Sequence, residues 1–430
     1  MSMLVYRDRD GVRDLLGRLE HNPGNANATF TYDPAYLASA RSHGEFGISE
    51  RLPLDEAPFE AAEFGPYFQG LLPEGEVYGN LALIYQVPRS DYLSVLENLG
   101  CESIGALTFV RDGVDPNDYA PRYDPLTDEF VNILSQTPVR AATRTASSTR
   151  LSLSGAQPKV AWFLPEGIDT RKATITDWLI PQGTAPSSHI VKVSARGEED
   201  IALNELARAR IARACGIEVA SVTLIPDIPG AIAVERYDRT WISTERGRSL
   251  LRLHQEDFCQ ALGLPTHLKY QIEGTDYSYL SFCADLIDAT SSNAIADRLE
   301  FAKRTVFNYV VGNTDAHLKN SSLLYNRTWT GRQLAPLYDV TCIPLTGYST
   351  KMAFDIGAHR QLDEVDEKDL LAIALDLDVG LDSFDRVFRE ILEGFTSVPI
   401  LQDSPAVSGM LDRILEDAAP RLEVLRRFLG

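Results

Sequence analysis

Asn313-Thr-Asp-Ala-His-Leu-Lys-Asn320, together with the later segment Leu337-Tyr-Asp-Val340, carries the strongest signal in this 430-residue chain. Asp315 and Asn320 are five residues apart on a predicted loop after a helical segment, and Asp339 lies between apolar residues at a predicted strand end. Phosphoryl transfer needs a carboxylate to orient the attacking hydroxyl and oxygen ligands to hold Mg²⁺. The spacing therefore indicates Asp315 as catalytic base and Asn320 and Asp339 as magnesium ligands. Taken alone, Asp-x4-Asn more often marks ordinary loop-capping residues than a catalytic site, so the other features of the sequence are needed.

A second set of candidate residues lies upstream. Ser152-Leu-Ser-Gly-Ala-Gln-Pro-Lys159 is a run of small residues between two strand-like segments, so its backbone N–H groups could approach a polyphosphate closely. It matches neither standard glycine-rich phosphate motif, so a hairpin turn without function remains an alternative. Lys192 lies in the apolar strand pattern His189-Ile-Val-Lys-Val193, where a lysine needs an anionic partner such as phosphate or Glu205. The alternative is that Lys192 and Glu205 are ordinary solvent-facing residues.

The order of these features favours the functional interpretation. A phosphate loop, a strand lysine, a helix glutamate, two more strands, Glu235-Arg-Tyr237 at a junction, the Asp/Asn loop and a metal aspartate follow one another as in protein kinases. Their joint occurrence by chance is far less probable than that of any one of them. His317 and Lys319, inside the Asp/Asn loop, either contact the γ-phosphate or brace the loop.

His254 and Glu256 in Leu253-His-Gln-Glu-Asp-Phe258 invite a metal-site interpretation. On a helix, however, side chains two residues apart do not share a face. We therefore predict a helix start or a connection between lobes here.

The length predicts two or three packed units, and 44% hydrophobic with 24% charged residues is typical of a folded soluble chain. The N-terminus has no apolar export signal, and no stretch approaches the ~20 apolar residues that span a bilayer. Five cysteines without a Cys-x-x-Cys pair indicate buried thiols in a reducing cytoplasm, without zinc or disulfides. We expect a cytoplasmic protein that does not bind membranes.

The net charge of −20 is concentrated at the two ends of the chain. Residues 1–100 hold 15 acidic and 7 basic residues, and residues 361–430 hold 16 and 7. Nucleic-acid binding relies on clustered Lys and Arg, and the sequence has no such run. Direct DNA binding by this chain alone is therefore not expected.

The pattern along the chain predicts an α+β fold. Strand-like Ala28–Tyr32 and Ala106–Val110 belong to a first unit, and a Ser/Thr-rich run from Thr143 to Ser154 is predicted to be mobile. An Ala-rich helix over Asp200–Cys215 ends at Gly216, and the chain is mainly helical after Tyr237, with one helix ending at Gly312. The predicted parts are an N-terminal α+β subdomain (1–112), a linker with a helix (113–150), a β-rich nucleotide-binding lobe (151–240) and a helical catalytic lobe (241–430).

These residues resemble the bacterial HipA kinases over nearly the whole chain. The resemblance lies in Arg150-Leu-Ser-Leu-Ser-Gly-Ala-Gln-Pro-Lys159, His189-Ile-Val-Lys192, Val234-Glu-Arg-Tyr-Asp-Arg239, Leu253-His-Gln-Glu-Asp257 and the 313–320 and 337–340 segments. Leu71-Leu-Pro-Glu-Gly75 and Ser103-Ile-Gly-Ala-Leu107 resemble the extra N-terminal subdomain of full-length HipA proteins. The resemblance implies a two-lobed protein-kinase-like fold with a β-rich N-lobe, an all-helical C-lobe and this extra α+β subdomain.

The resemblance also implies an activity. It implies a serine/threonine protein kinase toxin of a toxin–antitoxin system that uses ATP and Mg²⁺ and phosphorylates a cytoplasmic protein. In the best-known member that protein is glutamyl-tRNA synthetase, and the outcome is growth arrest and persistence. The implied partner is a DNA-binding antitoxin of the HipB type.

Individual roles follow from the same resemblance. Asp315 would be the base, Ser152 the autophosphorylated serine, and Glu205 the ion-pair partner of Lys192. Position 154 is Ser and position 158 is Pro, whereas the family pattern has Ala and Glu, so Ser154 offers a second phosphate acceptor. The residues implied to bind the nucleotide are Ser154, Gly155, Ala156, Gln157, Pro158, Lys159, Lys192, Glu235, Arg236, Tyr237, His317, Leu318, Lys319, Asn320, Tyr338, Asp339, Val340 and Thr341.

Two other functions are compatible with parts of this sequence. A small-molecule kinase of the aminoglycoside type also uses an Asp-x4-Asn loop, but the Ser152 loop and the N-terminal subdomain argue against it. A non-catalytic co-repressor acting with an antitoxin would keep the site for binding only, and the intact Lys192, Asp315, Asn320 and Asp339 argue against that.

Overall fold

The computed structural model describes residues 2–9, 12–22, 24, 27–100, 102–155, 157–194, 200–244, 247–275, 277–347, 349–399 and 405–430. The strands are β1 Ser2–Arg9, β2 Val12–Glu20, β3 Thr29–Tyr32, β4 Phe59–Glu60, β5 Leu107–Arg111, β6 Arg122–Pro125, β7 Lys159–Trp162, β8 Leu179–Gln182, β9 His189–Val193, β10 Val222–Leu224, β11 Ala231–Glu235, β12 Arg239–Thr244, β13 Gly247–Arg252, β14 Gln255–Asp257, β15 Ser322–Tyr325, β16 Arg332–Leu334, β17 Lys351–Ile356 and β18 His359–Gln361. The helices are α1 Pro34–His43, α2 Ala61–Gly70, α3 Gly75–Ile84, α4 Tyr92–Leu99, α5 Asp128–Gln136, α6 Pro138–Thr149, α7 Asp200–Ala214, α8 Phe258–Leu262, α9 Tyr279–Thr290, α10 Ala294–Val310, α11 Glu367–Asp376, α12 Leu381–Thr396 and α13 Pro405–Leu429.

The protein folds as two compact units, and its helices and sheets confirm the α+β class. Unit 1 holds residues 1–199, 223–266 and 324–331, and unit 2 holds residues 200–222, 267–323 and 332–430. These boundaries are coarser than the predicted divisions at 112, 150 and 240, which stay predictions. No helix in the described part of the chain is long and apolar enough to cross a membrane.

Unit 1 opens with a five-stranded antiparallel sheet in the order β4-β3-β2-β1-β5. Alternate residues such as Met3 and Val5 on β1 are fully buried, as expected where one face of a strand covers a core. The predicted strands at 28–32 and 106–110 are confirmed as β3 and β5, shifted by about one residue.

A second sheet in unit 1 places β9 between β11 and β7, antiparallel to both. Val160 and Trp162 on β7 and Val191 on β9 point into the same hydrophobic core as Val5 and Phe109 of the first sheet. The predicted N-terminal subdomain and the predicted nucleotide-binding lobe therefore share one core. Burying this common apolar surface stabilises both sheets together.

The prediction that the Ser/Thr-rich run from Thr143 to Ser154 is mobile is wrong for most of its length, because α6 extends over Pro138–Thr149. Thr143, Thr145 and Thr149 are buried, and each hydroxyl donates to the carbonyl four residues earlier, at 2.8 to 2.9 Å. This back-bonding satisfies the polar groups inside the helix, so a Ser/Thr-rich composition does not here mean a loop.

The prediction of an all-helical C-lobe over 241–430 is also wrong, because β12 to β14 occupy its start and β15 to β18 lie between its later helices. β12 and β13 form an antiparallel hairpin in register from Arg239↔Arg252 to Thr244↔Gly247, and β14 follows. His254 and Glu256 therefore lie on an extended segment, not on a helix. The predicted helix start is confirmed at the end of the same segment, where α8 begins at Phe258. Asp257 caps this helix by accepting from the Gln260 backbone N–H at 2.9 Å.

Unit 2 is mainly helical, with α12 packed against both α10 and α7. α7 and α10 end close to where the sequence predicted. Gly216 and Gly312 have φ of +69° and +68°, the left-handed conformation that glycine adopts most readily at a helix C-terminus. Arg208 on α7 is fully buried and donates to the Val311 carbonyl at 3.2 Å, which fixes the end of α10 where the Asp/Asn loop begins.

Candidate active site

The loop after α10 carries the predicted catalytic base. The Asn313 backbone N–H donates to the Asn308 carbonyl at 2.8 Å, and the Thr314 hydroxyl donates to the Ser349 carbonyl at 2.8 Å, so both ends of this turn are anchored. Asp315 follows with its side chain 47% exposed. A carboxylate in this position can meet a hydroxyl on another macromolecule without being buried itself.

Asn320 closes the loop onto Asp315. Its side-chain Nδ2 donates to the Asp315 backbone carbonyl at 2.8 Å, and the backbone N–H of His317 donates to the same oxygen at 2.8 Å. The five-residue spacing seen in the sequence therefore has a local structural cause. The amide oxygen of Asn320 is the atom of that side chain able to coordinate a cation.

His317 is buried beneath the loop, with Nε2 4.0 Å from Asp315 Oδ1 and its ring edge-on to Tyr270. Burial, together with the positive charge of Lys269, lowers the pKa of His317 to about 3. The imidazole is therefore neutral at pH 7. It can donate one hydrogen bond to a phosphate, but it cannot supply a positive charge.

Asp339 has an unusual backbone conformation, with φ of +56°. A non-glycine residue in this region costs on the order of 1 kcal/mol or more, and such residues cluster at functional sites. Two residues earlier the segment is anchored on both sides of one peptide, because the Leu337 N–H donates to the Glu218 carbonyl at 2.8 Å and the Leu337 carbonyl accepts from the Ala220 N–H at 2.9 Å.

Tyr338 ties the Asp339 segment to the catalytic loop. Its hydroxyl lies 2.7 Å from the Lys319 carbonyl, to which it donates, and 2.7 Å from the Ser322 hydroxyl. The structure thus brings Asp315, Asn320 and Asp339 together in one part of unit 2. Val340 is buried and Thr341 is partly buried on the same segment.

The donor set is suited to a magnesium ion shared with a nucleotide. Among the described residues, no three His, Cys, Asp or Glu side chains gather as in an all-protein metal centre. Mg²⁺ in kinase-type sites is held by one or two protein oxygens together with the phosphates, and needs no such cluster. One carboxylate from Asp339 and one amide oxygen from Asn320 fit that requirement.

Sequence reasoning missed one residue at this site. Tyr270 donates a hydrogen bond from its hydroxyl to Asp315 Oδ1, and the Leu318 N–H donates to the carbonyl of Lys269 at 3.1 Å. Tyr270 lies 45 residues before Asp315, in a segment without any motif. Only the fold could reveal this contact.

The candidate phosphate loop lies in unit 1. Gly155 has φ of +104°, a conformation essentially restricted to glycine, and its carbonyl accepts from the Glu74 N–H at 3.1 Å. A Cβ at position 155 would lie 2.7 Å from Lys159 Nζ, which donates to the Ser154 carbonyl at 3.0 Å. Gln157 and Pro158 are partly buried, and Ala156 lies outside the described residues.

Ser152 is fully buried at the start of this loop. Its hydroxyl donates to the Leu71 carbonyl, and its backbone N–H donates to the Glu102 carbonyl at 2.8 Å. Both contacts bind the loop to the N-terminal part of unit 1. Ser154, two residues on, is only partly buried.

Lys192 is buried, at 5% exposure, so the solvent-facing alternative is wrong for this residue. It pairs directly with Lys159 across β7 and β9. Like charges on directly opposed strand positions are unfavourable unless anions lie between or beside them. Glu205 is likewise buried, on α7 of unit 2, and its pairing with Lys192 stays a prediction.

The predicted adenine segment, Glu235 to Tyr237, follows β11. Glu235 is exposed, and the Tyr237 hydroxyl donates to Gln255 Oε1. The guanidinium of Arg236 is buried and binds Asp238 at 2.7 and 2.9 Å. Any contact of Arg236 with adenine would therefore come from its main chain.

The Arg236 side chain belongs to a buried ion network in unit 1. Glu102 accepts from Arg239 at 2.7 Å and from Arg236 at 3.4 Å, and both arginines also bind Asp238. Burial raises the pKa of the Asp238 carboxyl, but the two guanidinium groups outweigh it and hold that pKa well below its usual value. The network connects the N-terminal part of unit 1 to the end of β11.

Comparison with known proteins settles the family. The HipA-like C-terminal domain matches residues 151–398, more than half of the chain, and the HipA N-terminal domain matches residues 12–110. The chain belongs to the HipA family of kinases. A putative kinase, Y4mE, of Sinorhizobium fredii is 31% identical over 411 residues, covering 92% of this chain and 93% of that protein. The serine/threonine-protein kinase toxin HipA of Shewanella oneidensis is 27% identical over 314 residues, covering 70% of this chain and 67% of the toxin.

A solved structure has the same fold. The HipA chain of the Shewanella oneidensis complex of HipA, HipB and operator DNA superposes with a TM-score of 0.75 at 22% identity, covering 99% of both chains. The HipA fold predicted from sequence is thereby confirmed. The kinase names of the relatives support a kinase activity for this member of the family.

Proposed function

We propose that this HipA family chain is an ATP-dependent serine/threonine protein kinase with Asp315 as its base. The arrangement of unit 2 supports the proposal most directly: a half-exposed carboxylate stands on a loop that Asn320 closes and Tyr338 joins to Asp339. A surface-accessible base is suited to a hydroxyl on a protein. A small-molecule kinase would more often enclose its acceptor in a pocket.

The proposed step is a transfer between oxygens. The acceptor serine or threonine hydroxyl donates to Asp315, its oxygen attacks the γ-phosphorus, and its proton passes to the carboxylate. The bond between the γ-phosphorus and the bridging oxygen breaks, and ADP leaves with the negative charge. Asn320 and Asp339 would hold Mg²⁺, which would offset the negative charge on the phosphate oxygens.

The phosphates themselves would be held by unit 1. Backbone N–H groups of the Ser154–Lys159 loop would approach them closely, because small residues leave the backbone accessible. Lys192 would bind the α- and β-phosphates, and its buried position opposite Lys159 favours an anion there. The main chain of Glu235 to Tyr237 would hold adenine.

We further propose that the chain is the toxin of a toxin–antitoxin module and works in the cytoplasm. Its structural relative was solved with HipB and operator DNA, which favours a HipB-type, DNA-binding partner here. The protein substrate suggested by the family is an aminoacyl-tRNA synthetase, whose phosphorylation would arrest growth. The chain also transfers phosphate to its own Ser152 in this proposal.

One experiment separates the enzyme from a catalytically weak co-repressor. The purified chain is incubated with γ-labelled ATP with and without Mg²⁺, and labelled protein is hydrolysed to identify the phosphorylated amino acid. Label on serine or threonine that requires Mg²⁺ is expected. Absence of label, with ATP still bound in calorimetry, would favour the co-repressor.

A further inference from the structure

Four large apolar side chains between residues 270 and 282 of unit 2 are strongly exposed. Tyr270, Ile272, Tyr277 and Phe282 are 42, 48, 67 and 37% exposed. Single exposed apolar residues are ordinary on protein surfaces, but a cluster rich in aromatic residues is typical of binding surfaces. These four residues form what we call the acceptor surface.

One ring contact and one hydrogen bond connect parts of the acceptor surface. The rings of Tyr277 and Phe282 stack with centroids 5.9 Å apart. Gln271, between Tyr270 and Ile272, is buried, and its Nε2 donates to the Tyr277 carbonyl at 3.3 Å. The two halves of the surface are therefore held side by side through one buried side chain.

The segment that carries this surface is held in place before anything binds. The Gln271 N–H donates to the Ala353 carbonyl at 3.0 Å, and its Nε2 donates to Asp355 at 2.7 Å. Arg360 donates to the Gln271 carbonyl at 2.8 Å. A preorganised surface loses little conformational entropy on binding.

The acceptor surface begins at the catalytic base itself. The Tyr270 hydroxyl donates to Asp315 Oδ1, and the Tyr270 ring packs edge-on against His317. An acceptor hydroxyl must bind the same carboxylate, so the chain on either side of that hydroxyl passes beside Tyr270. A protein substrate bound at Asp315 would therefore lie beside Tyr270, the first residue of this surface.

We propose that the acceptor surface binds the phosphorylated segment of the protein substrate and selects large apolar residues next to the serine or threonine. Two charged pairs beside it are internally balanced, Lys351 with Glu273 and Arg360 with Asp355, and Lys269 Nζ lies 5.6 Å from the centroid of the Tyr270 ring. The four exposed side chains that a substrate would meet are large and mainly apolar, which favours apolar residues in the bound segment. An extended peptide advances about 3.3 Å per residue, so residues two to four positions from the acceptor lie about 7 to 13 Å from it, and these are the positions to vary.

This inference rests on the proposed kinase function and is tested with two synthetic peptides. Each peptide has thirteen residues and one serine; the first has Leu and Phe two to four positions away, and the second has Gln and Asn there. Initial rates of transfer from γ-labelled Mg·ATP give kcat/KM for each. The wild-type chain is expected to favour the apolar peptide about tenfold, which corresponds to partial burial of one large side chain.

Two substitutions and one matched control locate the preference. Ile272→Ser and Tyr277→Ser should each raise KM for the apolar peptide several-fold while kcat and KM for ATP stay constant. Ile295→Ser is the control, because Ile295 is 78% exposed on the same unit. It lies in the first turn of α10, about 22 Å along the helix from the end that leads to Asp315. The control should keep the wild-type preference.

The outcomes separate the two proposals. Equal kcat/KM for both peptides with the wild-type chain would overturn the acceptor surface. An unchanged preference in Ile272→Ser and Tyr277→Ser would do the same, as would labelling of the chain itself without transfer to either peptide. Absence of any phosphate transfer from Mg·ATP would instead contradict the kinase function.

Discussion

Asn320 Nδ2 lies 2.8 Å from the backbone carbonyl oxygen of Asp315, to which it donates. This one contact unites the two interpretations of Asp-x4-Asn that the sequence left open. Asn320 does brace a loop, as an ordinary capping residue would. The same bond directs its nitrogen into the loop and leaves its oxygen as the candidate magnesium ligand, so bracing and metal binding are compatible.

Asp315→Asn is expected to keep the fold and to lower phosphate transfer by about 10² to 10⁴-fold, the usual contribution of a general base. The side chain is half exposed, so little packing is lost, and the backbone carbonyl still accepts from Asn320. Initial rates with γ-labelled ATP and a thermal melt measure the two properties. A wild-type rate in a folded variant would remove Asp315 from this role.

Asp339→Ala is expected to weaken Mg·ATP binding more than Asn320→Ala, because a carboxylate offsets the charge of the metal and an amide does not. Calorimetric titration with Mg·ATP compares the two variants. Asp378→Ala is the matched control: Asp378 also has positive φ, at +46°, but its side chain is 90% exposed and pairs with Arg298. Wild-type affinity in both site variants would contradict the metal assignment.

The sequence predicted the elements that depend on local spacing. Gly216 and Gly312 end their helices as predicted, because a C-terminal left-handed residue is a local requirement. The burial of Lys192 could not be predicted, since a lone lysine in a strand pattern does not reveal which face of the strand is buried. Tyr270 was missed because its bond to Asp315 joins segments far apart in sequence. Contacts of that kind exist only once the chain has folded.

Unit 1 is expected to lose stability as the pH falls from about 6.5 to about 4, and His189 is one cause. Burial lowers the pKa of His189 to about 4, so in this range the unfolded chain binds a proton that the folded chain does not. The loss is at most about 1.4 kcal/mol per pH unit for one histidine. The substitution His189→Gln should reduce this loss of stability.

Urea unfolding at pH 7 and pH 5, followed by tryptophan fluorescence, measures this effect. All four tryptophans, at positions 162, 178, 241 and 329, belong to unit 1, so the signal reports that unit. His43→Gln is the control, because His43 is exposed. An identical difference between the two pH values in His189→Gln and the wild type would exclude this residue as a cause.

The isolated chain is expected not to shift operator DNA in electrophoresis at ~0.15 M salt. Excess acidic charge lies in residues 1–100 and 361–430, and DNA binding depends on releasing counterions with clustered basic residues. Adding a HipB-type partner should restore a shift that contains both proteins. A tight, sequence-specific shift by the chain alone would contradict the charge argument.

Phosphorylation of Ser152 is expected to switch the kinase off. The hydroxyl is fully buried and donates to the Leu71 carbonyl, so a phosphate of about −1.5 to −2 charges cannot be accommodated where the hydroxyl now lies. The modified segment would have to leave this position, and Gly155, three residues on, would lose its contact with Glu74. The loop that cradles the phosphates would leave with it.

Mass spectrometry of peptides after incubation with Mg·ATP shows whether Ser152 is modified, and Ser152→Asp shows what the charge does. We expect Ser152→Asp to lose at least tenfold in ATP affinity, since a buried carboxylate without a partner displaces the segment. Ser148→Asp is the matched control, because Ser148 is exposed on the last turn of α6 and the same charge there meets water. Ser152→Ala should stay active and lose the modification.

If Ser152→Asp binds ATP and phosphorylates its target like the wild type, the proposed switch is excluded, although the kinase activity itself is not. If phosphate appears instead on the partly buried Ser154, the mechanism still holds, with its acceptor moved by two residues.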